Sequence, residues 1–199
     1  GDPLWYMDEE DENHNPTGKR VTTNDYGSAD YYYVNKSSLP KVYGGFNTSL
    51  SWKGFDLSAI FAYSIGGYIY NRDITMILHN GSLEGRDWST EILKRWTPDN
   101  RNTDVPALST TTNNWNSAST RFLQNNSYMR LKNLTLSYNL PKQWISKLSL
   151  SSVQVYVQGD NLFTIHRNQG LDPEQGITGI TYYRYPAMRT ISGGINVSF

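Results

Sequence analysis

The side chains able to do chemistry in this 199-residue chain are few, and their spacing gathers them nowhere. His14, His79 and His166 stand far apart, none at a metal-ligand spacing from another, so each reads as a structural or solvated histidine. The acidic run Asp8, Glu9, Glu10, Asp11 and Glu12 invites calcium, yet it lacks the alternating ligands and central glycine of an EF-hand loop and reads as a solvated loop. Cysteine is absent, which removes disulfides, thiolate metal sites and thiol nucleophiles together. No nucleophile elbow, phosphate loop or carboxylate pair stands out, so no enzyme, cofactor or metal is expected. What the chain holds in quantity is binding chemistry: 15 tyrosines and 6 tryptophans, whose rings stack on the C–H faces of sugars, set among amides that bond hydroxyls. Trp88, Trp115, Tyr182, Tyr183 and Tyr185 in irregular segments, with Arg130 and Tyr156 in regular ones, are the candidate substrate-binding residues, each weighed against plain loop packing.

The elements that would position them show as period-two alternation. Phe46, Thr48, Leu50 and Trp52 alternate with small polar neighbours, and after a turn at Lys53-Gly54 so do Phe55, Leu57, Ala59, Phe61, Tyr63 and Ile65. Leu134, Leu136, Tyr138 and Leu140 continue the pattern, while Met129 and Leu131 just upstream sit on the opposite parity, which predicts a β-bulge near Lys132-Asn133. Val153, Val155 and Val157 follow, and the chain closes on Ile191, Gly193, Ile195, Val197 and Phe199. The spacing predicts strands over 42–53, 55–71, 127–140, 152–165 and 189–199, an all-β chain.

The second parity of these strands is mostly Ser, Thr, Asn, Gln and Gly rather than the Lys and Glu that face bulk water. Such a face suits a confined wet lumen, and the apolar parity, with Trp52, Tyr63, Tyr138 and Phe199 near strand ends, suits lipid flanked by aromatic girdles. Connections alternate short and long, as periplasmic turns and extracellular loops do in transmembrane barrels. The expected fold is therefore a set of strands from a large antiparallel transmembrane β-barrel with long extracellular loops. The final strand descends from a long loop, which places the C-terminus in the periplasm. Residues 72–126 and 166–188 are the outer loops, and residues 1–41 form an extracellular region leading into the barrel. Inside 72–126, Asp87 is placed to cap a short helix running through Trp96, with Trp88, Ile92 and Trp96 on one stripe.

Other classes fare worse. Lys and Arg number 18 against 18 for Asp and Glu, so no basic footprint for nucleic acid exists. No run approaches the roughly 18 apolar residues of a spanning helix, and the N-terminus carries no secretory leader, as though cut from a longer protein. A soluble secreted carbohydrate-binding β-sandwich is the alternative that the same alternation admits.

With the strands placed, the stretches LPKVYGGFNTSLSWKGFDLSAIFAYSIGGYIYN (Leu39 to Asn71), RWTPDNRNTDVPAL (Arg95 to Leu108), RFLQNNSYMRLKNLTLSYNLPKQWISKL (Arg121 to Leu148), VQVYVQGDNLFTI (Val153 to Ile165) and YPAMRTISGGINVSF (Tyr185 to Phe199) together resemble the C-terminal part of SusC/RagA-type, TonB-linked outer-membrane transporters. The resemblance implies a barrel of about 22 strands of the TonB-dependent transporter type, closed by an N-terminal plug. It further implies outer-membrane lipid around the barrel, a SusD-like surface lipoprotein as lid, coupling to TonB through the missing N-terminal part, and an oligosaccharide or peptide as cargo. Phe199 matches the C-terminal aromatic assembly signal of such proteins. The rest of the barrel and its plug are the partners that this stretch requires.

Overall fold

A computed structural model of the chain describes residues 1–81, 83, 85–109, 116–168, 170–174 and 176–199. It divides into two compact units, one of Gly1–Asn35, Tyr70–Leu123 and Ile180–Tyr182, the other of Lys36–Ile69, Gln124–Gly179 and Tyr183–Phe199.

In the first unit, β1 (Trp5–Glu10) and β2 (Pro16–Thr23) pair antiparallel as a hairpin. The region 1–41, for which no strand was expected, thus contains a paired hairpin. The hairpin escapes the period-two test because its residues are largely polar on both parities. Four of the five acids in the run 8–12 have partners in this unit. Asp8 accepts from Tyr32 (2.8 Å), Glu9 from Thr17 (2.8 Å), Glu10 meets His14 (3.1 Å), and Asp11 takes the N–H groups of Asn13 and Asn15 at the turn.

The second unit is built on one five-stranded antiparallel sheet, ordered β3 (Val42–Trp52), β4 (Phe55–Ile65), β7 (Tyr128–Asn139), β8 (Ser152–His166) and β9 (Thr190–Ser198). Two short strands, β5 (Tyr68–Tyr70) and β6 (Leu123–Asn125), lie in the connection from β4 to β7. The β3–β4 turn takes φ of 47° at Lys53 and 88° at Gly54, the double left-handed geometry of a tight hairpin. The register skips Lys132 on both sides of β7, so the bulge lies where the parity of Met129 and Leu131 changes. Strand β4 stops at Ile65 rather than running to Asn71, because Gly66 adopts φ of 89° and breaks the ladder before β5.

Register fixes which residues share a face. One row reads Leu50, Leu57, Leu136, Val157 and Gly193; the next reads Trp52, Phe55, Tyr138, Val155 and Ile195. This parity is open: Ile191 is 76% and Ile195 64% exposed, with Leu50, Trp52 and Val157 exposed beside them. A sandwich would have sealed these side chains against a second sheet. No helix among the described residues is long and apolar enough to cross a membrane, but strands of 9 to 15 residues match the roughly 9–11 that a tilted transmembrane strand needs.

The connections carry small helices. In the first unit, α1 (Arg72–Ile77) is capped by Asn71, whose Oδ1 accepts from the Ile74 N–H at 3.1 Å. The helix expected from Asp87 to Trp96 is a 3-10 segment, Thr90–Lys94, capped by Ser89 instead of Asp87. Its stripe reduces to Ile92, which packs with Leu78 and Val105, while Trp88 turns away to donate its indole N–H to His79 Nδ1 at 3.1 Å. In the second unit, α2 (Lys142–Ile145) and a 3-10 turn (Ser146–Leu148) fill the shorter connection from β7 to β8.

Candidate functional site

The parity opposite the apolar rows is cross-linked by short polar groups. Asn133 donates to Asp160 at 2.8 Å, Asn139 to Asp56 at 2.7 Å, Gln154 to Ser137 at 3.2 Å, and Ser51 bonds Asp56. Each bond runs between neighbouring strands, so the polar groups of the face satisfy one another, with Asp56 and Asp160 as carboxylates held by neutral donors. Such a surface is wettable without being sticky.

Arg130 is the exception. Alternation along β7 puts it on this polar face, where burial of a guanidinium demands counter-charges. They come from the connection between β8 and β9: Nη2 bonds Asp172 at 2.6 Å, Nη1 bonds Glu174 at 2.7 Å, and Nε donates to Thr164 of β8 at 2.9 Å. Lys132, the bulged residue, reaches the same Glu174 at 2.8 Å. Asp172 also accepts the N–H groups of Glu174 (2.9 Å) and Ala187 (2.6 Å), tying both limbs of the connection to one carboxylate. Burial by itself would raise the Asp172 pKa; the hydrogen bonds from Ala187, Arg130 and Glu174 outweigh it and hold the carboxyl below its ordinary value. The connection is thus pinned over the polar face by charge.

The first unit holds a cavity of about 910 Å³ walled by Trp5, Tyr6, Tyr26, Tyr31, Tyr32 and Trp96. Trp5 meets Tyr26 edge-on with centroids 5.3 Å apart, and the Arg20 guanidinium lies 3.9 Å above the Tyr32 ring. The Tyr26 hydroxyl donates to the Ala118 carbonyl at 3.0 Å. Ring faces backed by oriented hydroxyls can hold an amphipathic ligand such as a sugar or a peptide side chain.

The candidates read from sequence scatter over these features. Arg130 sits at the centre of the ionic cluster, fully engaged with protein partners. Tyr156 pairs with Ser137 and Gly194, eight residues along β8 from Thr164, or about 26 Å at the rise of a strand, so it shares no site with Arg130. Its ring explains Gly194, where a Cβ would fall 2.7 Å from the Tyr156 hydroxyl. Tyr183, with φ of 45°, and Tyr185, 95% exposed, stand in the segment that Asp172 anchors through Ala187. Tyr182 belongs to the first unit, its ring 4.9 Å from Arg72, as does Trp88. Trp115 lies outside the described residues. Phe199 is exposed at the end of β9. Sequence reasoning passed over the cavity's aromatics, though the density of rings among Trp5, Tyr6, Tyr26, Tyr31 and Tyr32 was a signal available to it. Among the described residues no cluster of His, Asp and Glu is arranged to hold a metal.

No protein-family model matches the chain. It is 35% identical over 166 residues to the TonB-dependent receptor P3 of Formosa agariphila, covering 78% of this chain and 16% of that protein. It is 27% identical over 198 residues to the TonB-dependent receptor SusC of Bacteroides thetaiotaomicron, covering 98% of this chain and 19% of that protein. Among solved structures, the RagAB peptide importer in its closed-closed state superposes with a TM-score of 0.81 at 34% identity, over 100% of this chain and 21% of that one. The chain spans about a fifth of the length of these relatives, which are named as receptors and importers rather than enzymes. A chain that superposes along its whole length on a fifth of an importer, with a third of the aligned residues identical, leaves one assignment: this chain belongs to the SusC/RagA family of TonB-linked outer-membrane transporters, as a C-terminal part of the barrel.

Proposed function

We propose that this chain supplies wall strands and outer loops to a TonB-dependent transporter of the bacterial outer membrane that imports an oligosaccharide or a peptide with the help of a SusD-like surface lipoprotein. The observation that carries the reading is the division of one sheet into an open apolar parity and a polar parity over which the Asp172 connection is pinned. A wall between lipid and a hydrated bore needs that division, and a soluble sheet does not. In this reading Phe199 ends on the periplasmic side, the connections 66–127 and 167–189 face outward, and energy enters through TonB contacts made elsewhere in the polypeptide. The peptide in the name of RagAB supports a peptide cargo, and the aromatic cavity fits a glycan equally well.

Single cysteines test the orientation, since this stretch has none of its own. In the full-length transporter, freed of any other cysteine and reconstituted in vesicles, Ser192→Cys should react with a water-soluble maleimide and Ile191→Cys should be protected. Equal labelling of the two neighbours would defeat the barrel-wall reading.

A further inference from the structure

The connection that Asp172 pins leaves two arginines without a carboxylate. Asp172 and Glu174 are committed to Arg130 and Lys132, and among the described residues no acid pairs with Arg184 or Arg189. Both arginines line one pocket of about 360 Å³ on the polar face, together with Asn161, Thr164 and His166 of β8. The backbone between them is held at two points: the Ala187 N–H donates to Asp172 at 2.6 Å, and Asn161, itself at φ of 53°, donates from Nδ2 to the Met188 carbonyl at 3.2 Å. Guanidinium groups are planar donors suited to forked bonding of oxyanions, and here two share a concave, anchored frame whose other cation, Arg130, is already neutralised. A pocket with this surplus of positive charge has a use for an anion.

We infer that the Arg184–Arg189 pocket is an oxyanion subsite that takes a carboxylate, sulfate or phosphate group carried on the transported molecule, and so favours acidic cargo over neutral cargo of the same size. The inference rests on the transporter reading, because only there does the polar face meet cargo. Arg130 is a positioning residue in this scheme: it holds Asp172, and Asp172 holds the segment from which the two arginines project.

The test uses the full-length transporter in detergent, with isothermal titration against matched probes. Tetragalacturonate is compared with maltotetraose, and N-acetyl-tetraalanine with its C-terminal amide, while sodium sulfate serves as a free-anion control. At least one charged probe should bind about tenfold more tightly than its neutral partner, lose that margin at high salt, and lose it in R184Q/R189Q, with the neutral probe unchanged. Both arginines are exposed, and heat-dependent migration of the barrel on a gel verifies that the variant is folded. The inference is overturned if neither charged probe is preferred, if the preference survives the double variant, or if free sulfate binds as tightly as the charged oligomers. A protein that inserts in the outer membrane and imports cargo without regard to charge sinks the subsite alone; one that never inserts sinks the transporter reading.

Discussion

Arg130 and Asp172, 42 residues apart, meet at 2.6 Å with 4% and 7% of their side chains exposed, and this contact fastens a surface connection to the middle of a sheet. Glu174, 38% exposed, lies at the rim of the same cluster and is better screened by water. The inner pair therefore carries most of the fastening.

Removing the inner carboxylate should free the connection. Asp172→Asn abolishes the charge and weakens the acceptor for the Ala187 N–H, leaving Arg130 buried with one rim acid. Breaking one partner of a buried pair costs about 3–5 kcal/mol, reduced here because Glu174 remains. Limited proteolysis within 167–189 of the folded transporter should accelerate strongly in Asp172→Asn and only slightly in Glu174→Gln. A connection equally resistant in wild type and Asp172→Asn would show that charge does not fasten it.

Acid should loosen the same latch. The folded-state pKa of Asp172 is depressed, so its stabilisation is complete above the unfolded value of about 3.9 and is lost as pH falls through the lower folded value. Hydrogen exchange of peptides covering 170–174 and 184–189 should stay flat from neutral pH to about pH 4 and rise below it, once corrected for intrinsic rates. A rise that begins near neutrality would have to come from another group.

His79 gives the first unit a milder acid sensitivity. Burial, then the positive charge of Arg86, lowers its pKa, and Nδ1 accepts from both Trp88 (3.1 Å) and the Gly81 N–H (3.2 Å), which puts the proton on Nε2. Below the unfolded value of about 6.5 the open form takes up a proton first, so stability declines as pH drops toward the folded value. Exchange in 72–81 should quicken as pH falls below about 7, and His79→Gln should flatten that dependence. Retention of the full pH response in His79→Gln would assign it elsewhere.

The strands and the bulge were legible because lipid and lumen impose a strict period of two, and Met129 and Leu131 betray the one extra residue at Lys132. Arg130 was recognisable as a residue of the polar face from its parity. Its partners were not, since nothing local in Asp172 or Glu174 says which strand 40 residues away they will meet. The hairpin of Trp5–Glu10 with Pro16–Thr23 and the cap at Ser89 were missed for a related reason: both form in segments where polar residues pair with each other, and neither hydrophobic period applies. Ser89 displaced Asp87 because the segment that winds begins only at Thr90, beside the buried Ile92.

The sharpest test of the wall compares two adjacent residues. Ile191 pairs with Gly159, the midpoint of β8, so it lies near half-height on the apolar parity, and Ser192 faces the other way beside Gln158. An arginine at mid-height on the lipid face of a transmembrane barrel costs about 2–4 kcal/mol, whereas the same residue on the hydrated face costs little. Ile191→Arg should therefore lower the denaturant midpoint of the vesicle-embedded protein and slow its insertion, while Ser192→Arg should match wild type in both. The pair shares strand, depth and substituent, so any difference between them measures the environment of the face alone. Were Ser192→Arg the more damaging of the two, lipid and lumen would have to change sides.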